Sequence, residues 1–239
     1  MNILITGVSR GVGIEICTVL LEQGNNIYGI ARTHTDEFKN LEYNYKGKIH
    51  FKSFDLSDGD NVNEEVFKDF IGKNPIHGFV NNAATAYDDI ISNLNLDRLK
   101  NMYNVNVFTP MMLTKYVLRN MLLYKVKGSI VHISSISVHT GYKGLAMYAS
   151  SKGALEAFSK NTAREWGQLG IRSNIVVPGF METAMSSTLS EEQKDRIYKR
   201  TSLKTVTSIR SVAETVAFLL SDKAESITGQ NIHVDNGTI

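Results

Sequence analysis

The sequence has one cysteine, three prolines and almost no excess of either charge. A lone Cys17 forms no internal bridge, so a disulfide framework is excluded, and no Cys/His grouping has the spacing of a zinc site. The six histidines, at positions 34, 50, 77, 132, 139 and 233, include no His-x-x-x-His pair, and no metal is expected. With 26 basic against 24 acidic side chains, the net charge of +2 gives no electrostatic footprint for nucleic acid. No apolar run approaches the roughly 18 residues that suggest a membrane span. The chain enters Asn2-Ile3-Leu4-Ile5 at once, without the basic and apolar regions of a secretory leader. These absences predict a cytoplasmic protein that binds neither nucleic acid nor membrane.

What is present is a globular composition, 42% hydrophobic over 239 residues, enough to bury a core without staples. Seven short runs rich in β-branched residues stand out: Asn2–Thr6, Ile27–Ala31, Ile49–Phe54, Gly78–Asn81, Ser129–Ser134, Ile171–Val177 and Asn231–Val234. Helical patterns separate them. Ile14, Val19 and Leu20 mark the first, Met111, Met112, Lys115 and Leu118 lie on the fourth, and Val212, Val216, Leu219 and Leu220 trace the last. Strands alternating with helices predict βαβ units, and no linker or composition shift divides the chain. The expectation is one α/β domain over residues 1–239, a Rossmann-like doubly wound parallel sheet of about seven strands flanked by helices. In such sheets, ligands sit beyond the carboxyl ends of the strands, where the strand order reverses.

The first strand runs into Thr6-Gly7-Val8-Ser9-Arg10-Gly11-Val12-Gly13. Glycines there let the backbone turn tightly and aim free N–H groups and a helix dipole at an anion. The spacing is G-x-x-x-G-x-G rather than the common G-x-G-x-x-G. An NAD site usually places an acid at the end of the second strand to hold ribose hydroxyls. Here that end carries Arg32, and the nearest acid is Asp36. A guanidinium suits a 2′-phosphate, and Arg10 in the turn reaches the same region, so NADP(H) is expected over NAD.

Tyr148-Ala-Ser-Ser-Lys152 puts a phenol and an ammonium one helical turn apart on one face. Ser134-Ser135 ends the fifth strand, at the same carboxyl edge. The set fits hydride transfer to a carbonyl. The phenol supplies the proton, Lys⁺ lowers its pKa from near 10, and a serine hydroxyl stabilises the developing oxyanion.

Taken together, these motifs resemble the short-chain dehydrogenase/reductase family, from Met1 to about Gly237. The glycine turn is similar to that family's T-G-x-x-x-G-x-G, and Tyr148 with Lys152 to its Y-x-x-x-K. Asn81-Asn82-Ala83-Ala84 resembles N-N-A-G, with Ala84 in place of glycine. Pro178-Gly179 followed by Thr183, then Ile227-Thr228-Gly229-Gln230 and Val234-Asp235-Asn236-Gly237, complete the likeness. The resemblance implies Ser135 as the catalytic serine, thirteen residues before the tyrosine, and Asn106 as the fourth catalytic member, bending a helix and serving a proton relay. It implies a cofactor shell of Gly7, Ser9, Arg10, Gly11, Val12, Gly13, Arg32, Asp55, Leu56, Asn82, Ala83, Ala84, Tyr148, Lys152, Pro178, Gly179, Phe180, Met181 and Thr183. Asp55 receives the adenine amino group in that reading; as an Asp before a helix it also reads as an N-cap.

Within the family, the chain is most similar to the 3-oxoacyl-[acyl-carrier-protein] reductases. Asp88-Asp89-Ile90-Ile91 resembles their R-D-N-L-L stretch, and Pro178 to Met185 with Leu189 to Gln193 their substrate loop. That likeness implies NADPH, an acyl-thioester substrate, acyl carrier protein as partner, and a homotetramer. Two departures stand against it. The docking arginines of that group are replaced by Val126 and Leu169, with Lys125 and Lys127 flanking the first, and the R-L-G stretch before the last helix reads Leu203-Lys204-Thr205. The alternatives are a reductase of another ketone or, on the fold alone, a non-catalytic NADP-sensing subunit. Retention of Ser135, Tyr148, Lys152 and Asn106 favours an enzyme. Cys17, Trp166 and His132 read as packing residues, and Met111-Met112 as core or subunit interface.

Overall fold

The computed structural model describes residues 1–182 and 190–239. Seven strands, β1 (Asn2–Thr6), β2 (Asn26–Ala31), β3 (Ile49–Ser53), β4 (Gly78–Asn81), β5 (Ser129–Ile133), β6 (Arg172–Pro178) and β7 (Asn231–Val234), pair in the order β3-β2-β1-β4-β5-β6-β7. Every pairing is parallel. All seven runs read from the sequence are strands, with ends shifted by a residue. Strand β5 stops at Ile133, because Ile133 opposite Val176 is its last paired residue, although the Ser134 N–H still reaches the Val176 carbonyl at 2.8 Å.

Strand side chains alternate between faces, so each strand feeds two cores. Ile3 and Ile5 of β1 pack on one side with Val80, Val131 and Val176, under helices α1 (Val12–Glu22) and α7 (Ile209–Leu220). Leu4 points the other way and joins Phe79 and Ile130 beneath Leu113, Val117 and Met121 of α4 (Thr109–Leu123). Leu118 also packs there, whereas Lys115 is exposed. A 3.6-residue period places Leu113, Val117 and Met121, rather than Met111 and Lys115, on the sheet. Cys17 is buried, its thiol pushed up by burial, and Trp166 packs against the second core.

Helix α2 (Asp36–Asn44) is anchored by Phe38, which is fully buried. Helix α5 (Ala146–Trp166) leans on β6. Helix α3 (Leu96–Tyr103) runs into α4 through a π-helical stretch, Asn104–Phe108, which contains Asn106. Helix α6 (Glu191–Arg200) buries none of its residues. Among the described residues, no helix is long and apolar enough to cross a membrane, and no His/Cys/Asp/Glu group is arranged to hold a metal.

Candidate active site

The strand order reverses between β1 and β4, and the glycine turn leaves β1 at that point. Gly7 and Gly11 have φ of 74° and 58°, a region costly for side chains other than glycine. At Gly13 the constraint is space instead. A Cβ there would lie 1.9 Å from the Gly7 carbonyl oxygen and 2.7 Å from Asn82 Nδ2. The turn is held from β4: Asn82 Nδ2 donates to the Thr6 and Gly7 carbonyls at 3.0 and 3.1 Å, and Thr6 Oγ1 accepts from the Asn82 and Ala83 N–H groups. Thr35, the N-cap of α2, donates its hydroxyl to the Ser9 carbonyl at 2.7 Å and so ties the segment after β2 to the turn. A backbone cradle at a helix start that no side chain can fill suits a phosphate.

Around that cradle, the described part of the expected shell falls on the same edge. Arg10 and Arg32 are exposed, at the turn and at the end of β2, with freedom to reach an anion. Asp55 is exposed after β3, and Leu56 beside it is buried. Asp55 caps no helix. Its Oδ1 accepts from the Ser57 N–H at 2.9 Å in a local turn, so the N-cap expectation becomes an Asx turn. Ala83 and Ala84 follow β4 half-buried. Pro178 closes β6, and Gly179 is wedged so closely that a Cβ would meet Thr207 Oγ1 at 2.5 Å. Phe180 and Met181 follow, half-buried. Thr183 lies outside the described residues, as does the stretch through Leu189.

The carbonyl-handling candidates meet where β5 ends. Ser135 is extended (φ −159°) and opens a 3₁₀ turn over Ile136–Val138. Its Oγ accepts from the Ser137 hydroxyl at 2.9 Å and the Ser137 N–H at 3.2 Å. Both lone pairs are then engaged, and the Ser135 proton is left to be donated outward. Sequence reasoning missed Ser137; its role is visible only once the turn folds back on Ser135. Ser134, the neighbouring alternative, spends its own proton on Glu156.

Tyr148 lies in the first turn of α5, with Lys152 one turn on. Lys152 is 2% exposed, and its Nζ donates to the Ile133 carbonyl at 2.8 Å. Burial lowers its pKa from 10.5 to about 8, so it remains charged at neutral pH. The ammonium sits 5.9 Å from the Tyr148 ring centre. The expectation that it lowers the phenol's pKa is not met here. Burial first, then the Asp88 charge, push Tyr148 up to about 12, while the Lys152 ammonium is bonded to the Ile133 carbonyl. His132, below them in β5, is fully buried and held neutral, pushed down to about 3 by burial and the Lys152 charge.

Asn106, in the π-helical stretch, is fully buried. Its Oδ1 accepts from the Thr85 N–H, while Nδ2 donates to the Thr85 carbonyl and to Ser151 Oγ, all within 3.0 Å. The side chain therefore clamps the segment after β4 to α5.

A family model described as Enoyl-(Acyl carrier protein) reductase matches residues 7–238. The 3-oxoacyl-[acyl-carrier-protein] reductase FabG of Salmonella typhimurium is 33% identical over 237 residues, 98% of this chain and 95% of that protein. The chain belongs to the short-chain dehydrogenase/reductase family. It is thus one of a family of oxidoreductases, and other members are similar too. L-xylulose reductase of Caenorhabditis elegans is 32% identical, covering 99% of this chain and 94% of its own. Among solved structures, ElxO with NADP bound superposes with a TM-score of 0.89 at 27% identity, over 99% of this chain and 98% of that one.

Relatives of differing substrate therefore share this fold, and the features outside the shared site matter. Val126 and Leu169, 43 residues apart in sequence, meet in one hollow of about 260 Å³ with Met121, Leu122, Lys125, Lys127 and Ile171. Leu169 is 47% exposed. At the two positions where the family resemblance implies docking arginines, the hollow has Val126 and Leu169, and Lys125 and Lys127 are among its lining residues.

Proposed function

We propose that the protein reduces the 3-oxo group of an acyl thioester to the 3-hydroxy product with NADPH. The observations that support the reading are that Lys152 reaches the Ile133 carbonyl, two residues before Ser135, with its ammonium 5.9 Å from the Tyr148 ring, and that Ser135 has only its proton left to offer. A nicotinamide cofactor, when bound, supplies the hydride. Gly7, Gly11 and Gly13 with Asn82 and Ala83 hold the pyrophosphate end, and Arg10 and Arg32 favour a 2′-phosphate over a bare ribose. Ser135 donates to the substrate oxygen as negative charge grows on it. Tyr148, protonated at neutral pH because burial holds its pKa near 12, delivers the proton that completes the alcohol. Lys152 ties the helix that bears Tyr148 to the end of β5 through its bond to the Ile133 carbonyl. Asn106 keeps the segment after β4 in register with α5.

The 3-oxoacyl substrate rests on the FabG relatives. The test is NADPH oxidation at 340 nm with acetoacetyl-CoA, run beside NADH. Turnover preferring NADPH supports the proposal, and binding of NADPH without turnover of the thioester refutes it. A second reading, reduction of another ketone without a carrier protein, is favoured by the apolar Val126–Leu169 hollow. A small cyclic ketone or ketose that is reduced while acetoacetyl-CoA is inert supports that reading instead.

A further inference from the structure

Glu156 stands one turn beyond Lys152 on α5, outside the set of residues that would touch substrate or cofactor. Its side chain is only 10% exposed, and three groups converge on the carboxylate. Oε1 accepts from Ser134 Oγ at 2.5 Å and from His139 Nε2 at 3.1 Å. A carboxylate there only accepts, so His139 carries its proton on Nε2. Oε2 accepts from Asn231 Nδ2 of β7 at 2.6 Å. The arrangement has a consequence for Ser135. Ser134 precedes it, and His139 ends the short turn that Ser135 opens, so one oxygen holds both ends of the Ser135–Val138 turn. That oxygen belongs to the helix bearing Tyr148 and Lys152.

We infer that Glu156 is a positioning residue that fixes the Ser135 hydroxyl relative to Tyr148 and Lys152. The inference rests on the proposed reductase reading for its kinetic consequence, but its structural half stands apart. Without the carboxylate, the turn keeps its own bonds, Val138 N–H to the Ser135 carbonyl at 3.1 Å and His139 N–H to the Ile136 carbonyl at 3.0 Å, yet loses its attachment to α5. Displacement of a reacting group by about 1 Å costs as much as roughly 100-fold in rate.

The experiment compares Glu156→Ala, Glu156→Gln, Ser134→Ala and Asn231→Ala, each checked for folding by thermal melt. Steady-state rates use NADPH and acetoacetyl-CoA, and amide hydrogen exchange is followed over residues 136–140. Glu156→Ala is expected to lower kcat by roughly ten- to hundredfold, with the NADPH dissociation constant changed less than about twofold. Exchange over 136–140 is expected to accelerate. Glu156→Gln keeps an oxygen for Ser134 and His139, and the Asn231 amide can turn to meet its NH₂, so this variant retains most of kcat. Ser134→Ala loses part of kcat and keeps the fold if Glu156→Ala does not. Asn231→Ala removes a bond outside the turn and lowers only the melting temperature. Unchanged kcat in a folded Glu156→Ala, or equal losses in the Ala and Gln variants, would overturn the inference. Unaltered exchange over 136–140 in Glu156→Ala would do the same. If the wild-type protein does not turn over the thioester, accelerated exchange confined to 136–140 still supports the positioning role, and the substrate reading alone fails.

Discussion

Replacing Gly13 by alanine is the sharpest perturbation of the cofactor cradle. The added Cβ would lie 1.9 Å from the Gly7 carbonyl oxygen, where real Cβ contacts stay beyond about 3.0 Å, so the turn must retreat by roughly 1 Å. The group in the way is backbone, and it cannot rotate aside as a flexible side chain would. Retreat also stretches the bonds from Asn82 Nδ2 to the Thr6 and Gly7 carbonyls, now 3.0 and 3.1 Å long. Overpacking of this kind costs about 2 kcal/mol, and a weakened hydrogen bond adds about 1. At about 2–4 °C per kcal/mol for a domain of this size, Tm falls by about 6–12 °C. NADPH affinity falls by at least about tenfold as the N–H groups leave their alignment. Gly167→Ala is the control, with nothing within 4 Å of its Cβ and an ordinary φ of −58°. It should leave NADPH binding intact and raise stability by about 0.5 kcal/mol. Thermal melts and NADPH fluorescence titrations decide the matter. A Gly13→Ala protein that melts and binds like wild type would show that the turn is pliable, and the steric reasoning would fall.

Tyr148→Phe removes the proton donor without emptying its volume; turnover should drop to background while NADPH still binds, and unchanged turnover would refute the assigned acid. Lys152→Met should abolish turnover yet stabilise the fold. Burial lowers the lysine from 10.5 to about 8, so below pH about 8 the native state carries a charge it holds at a cost near 3 kcal/mol, partly offset by the bond to the Ile133 carbonyl. That cost fades as pH rises from about 8 to 10.5. The Tm gain of Lys152→Met is therefore expected to be largest near pH 7 and to shrink above pH 10, and a gain that grows with pH would reverse the sign. Arg32→Glu should move the cofactor preference toward NADH by roughly tenfold or more, read as the ratio of kcat/KM values, because it repels a 2′-phosphate and accepts ribose hydroxyls. The chain is expected to assemble as a homotetramer, with the hollow between α4 and α5, lined by Met111, Leu118, Leu122, Phe158 and Trp166 together with Lys115, Arg119, Thr162 and Glu165, available for a second copy to cover. Light scattering that reports a monomer at micromolar concentration would refute that expectation.

The sequence by itself determined the parts whose signals are local. Ile3-Leu4-Ile5 and Ile130-Val131 announce strands because a parallel sheet buries both faces and reads as a continuous apolar run. Gly7, Gly11 and Gly13 announce the cradle because backbone conformation and the space for a Cβ leave no other residue. Tyr148 and Lys152 share a face through helical geometry alone. Tertiary structure decided what depends on contacts between distant segments. Ser134 and Ser135 look alike in sequence, and only Glu156 and Ser137 assign them different tasks. Burial and Asp88 set the direction of the Tyr148 pKa against the expected pull of Lys152. Asn106 proves to clamp Thr85 and Ser151, and Val126 and Leu169 share a hollow. Each depends on how strand ends, helix faces and the low dielectric between them come together in space, and no local pattern encodes that.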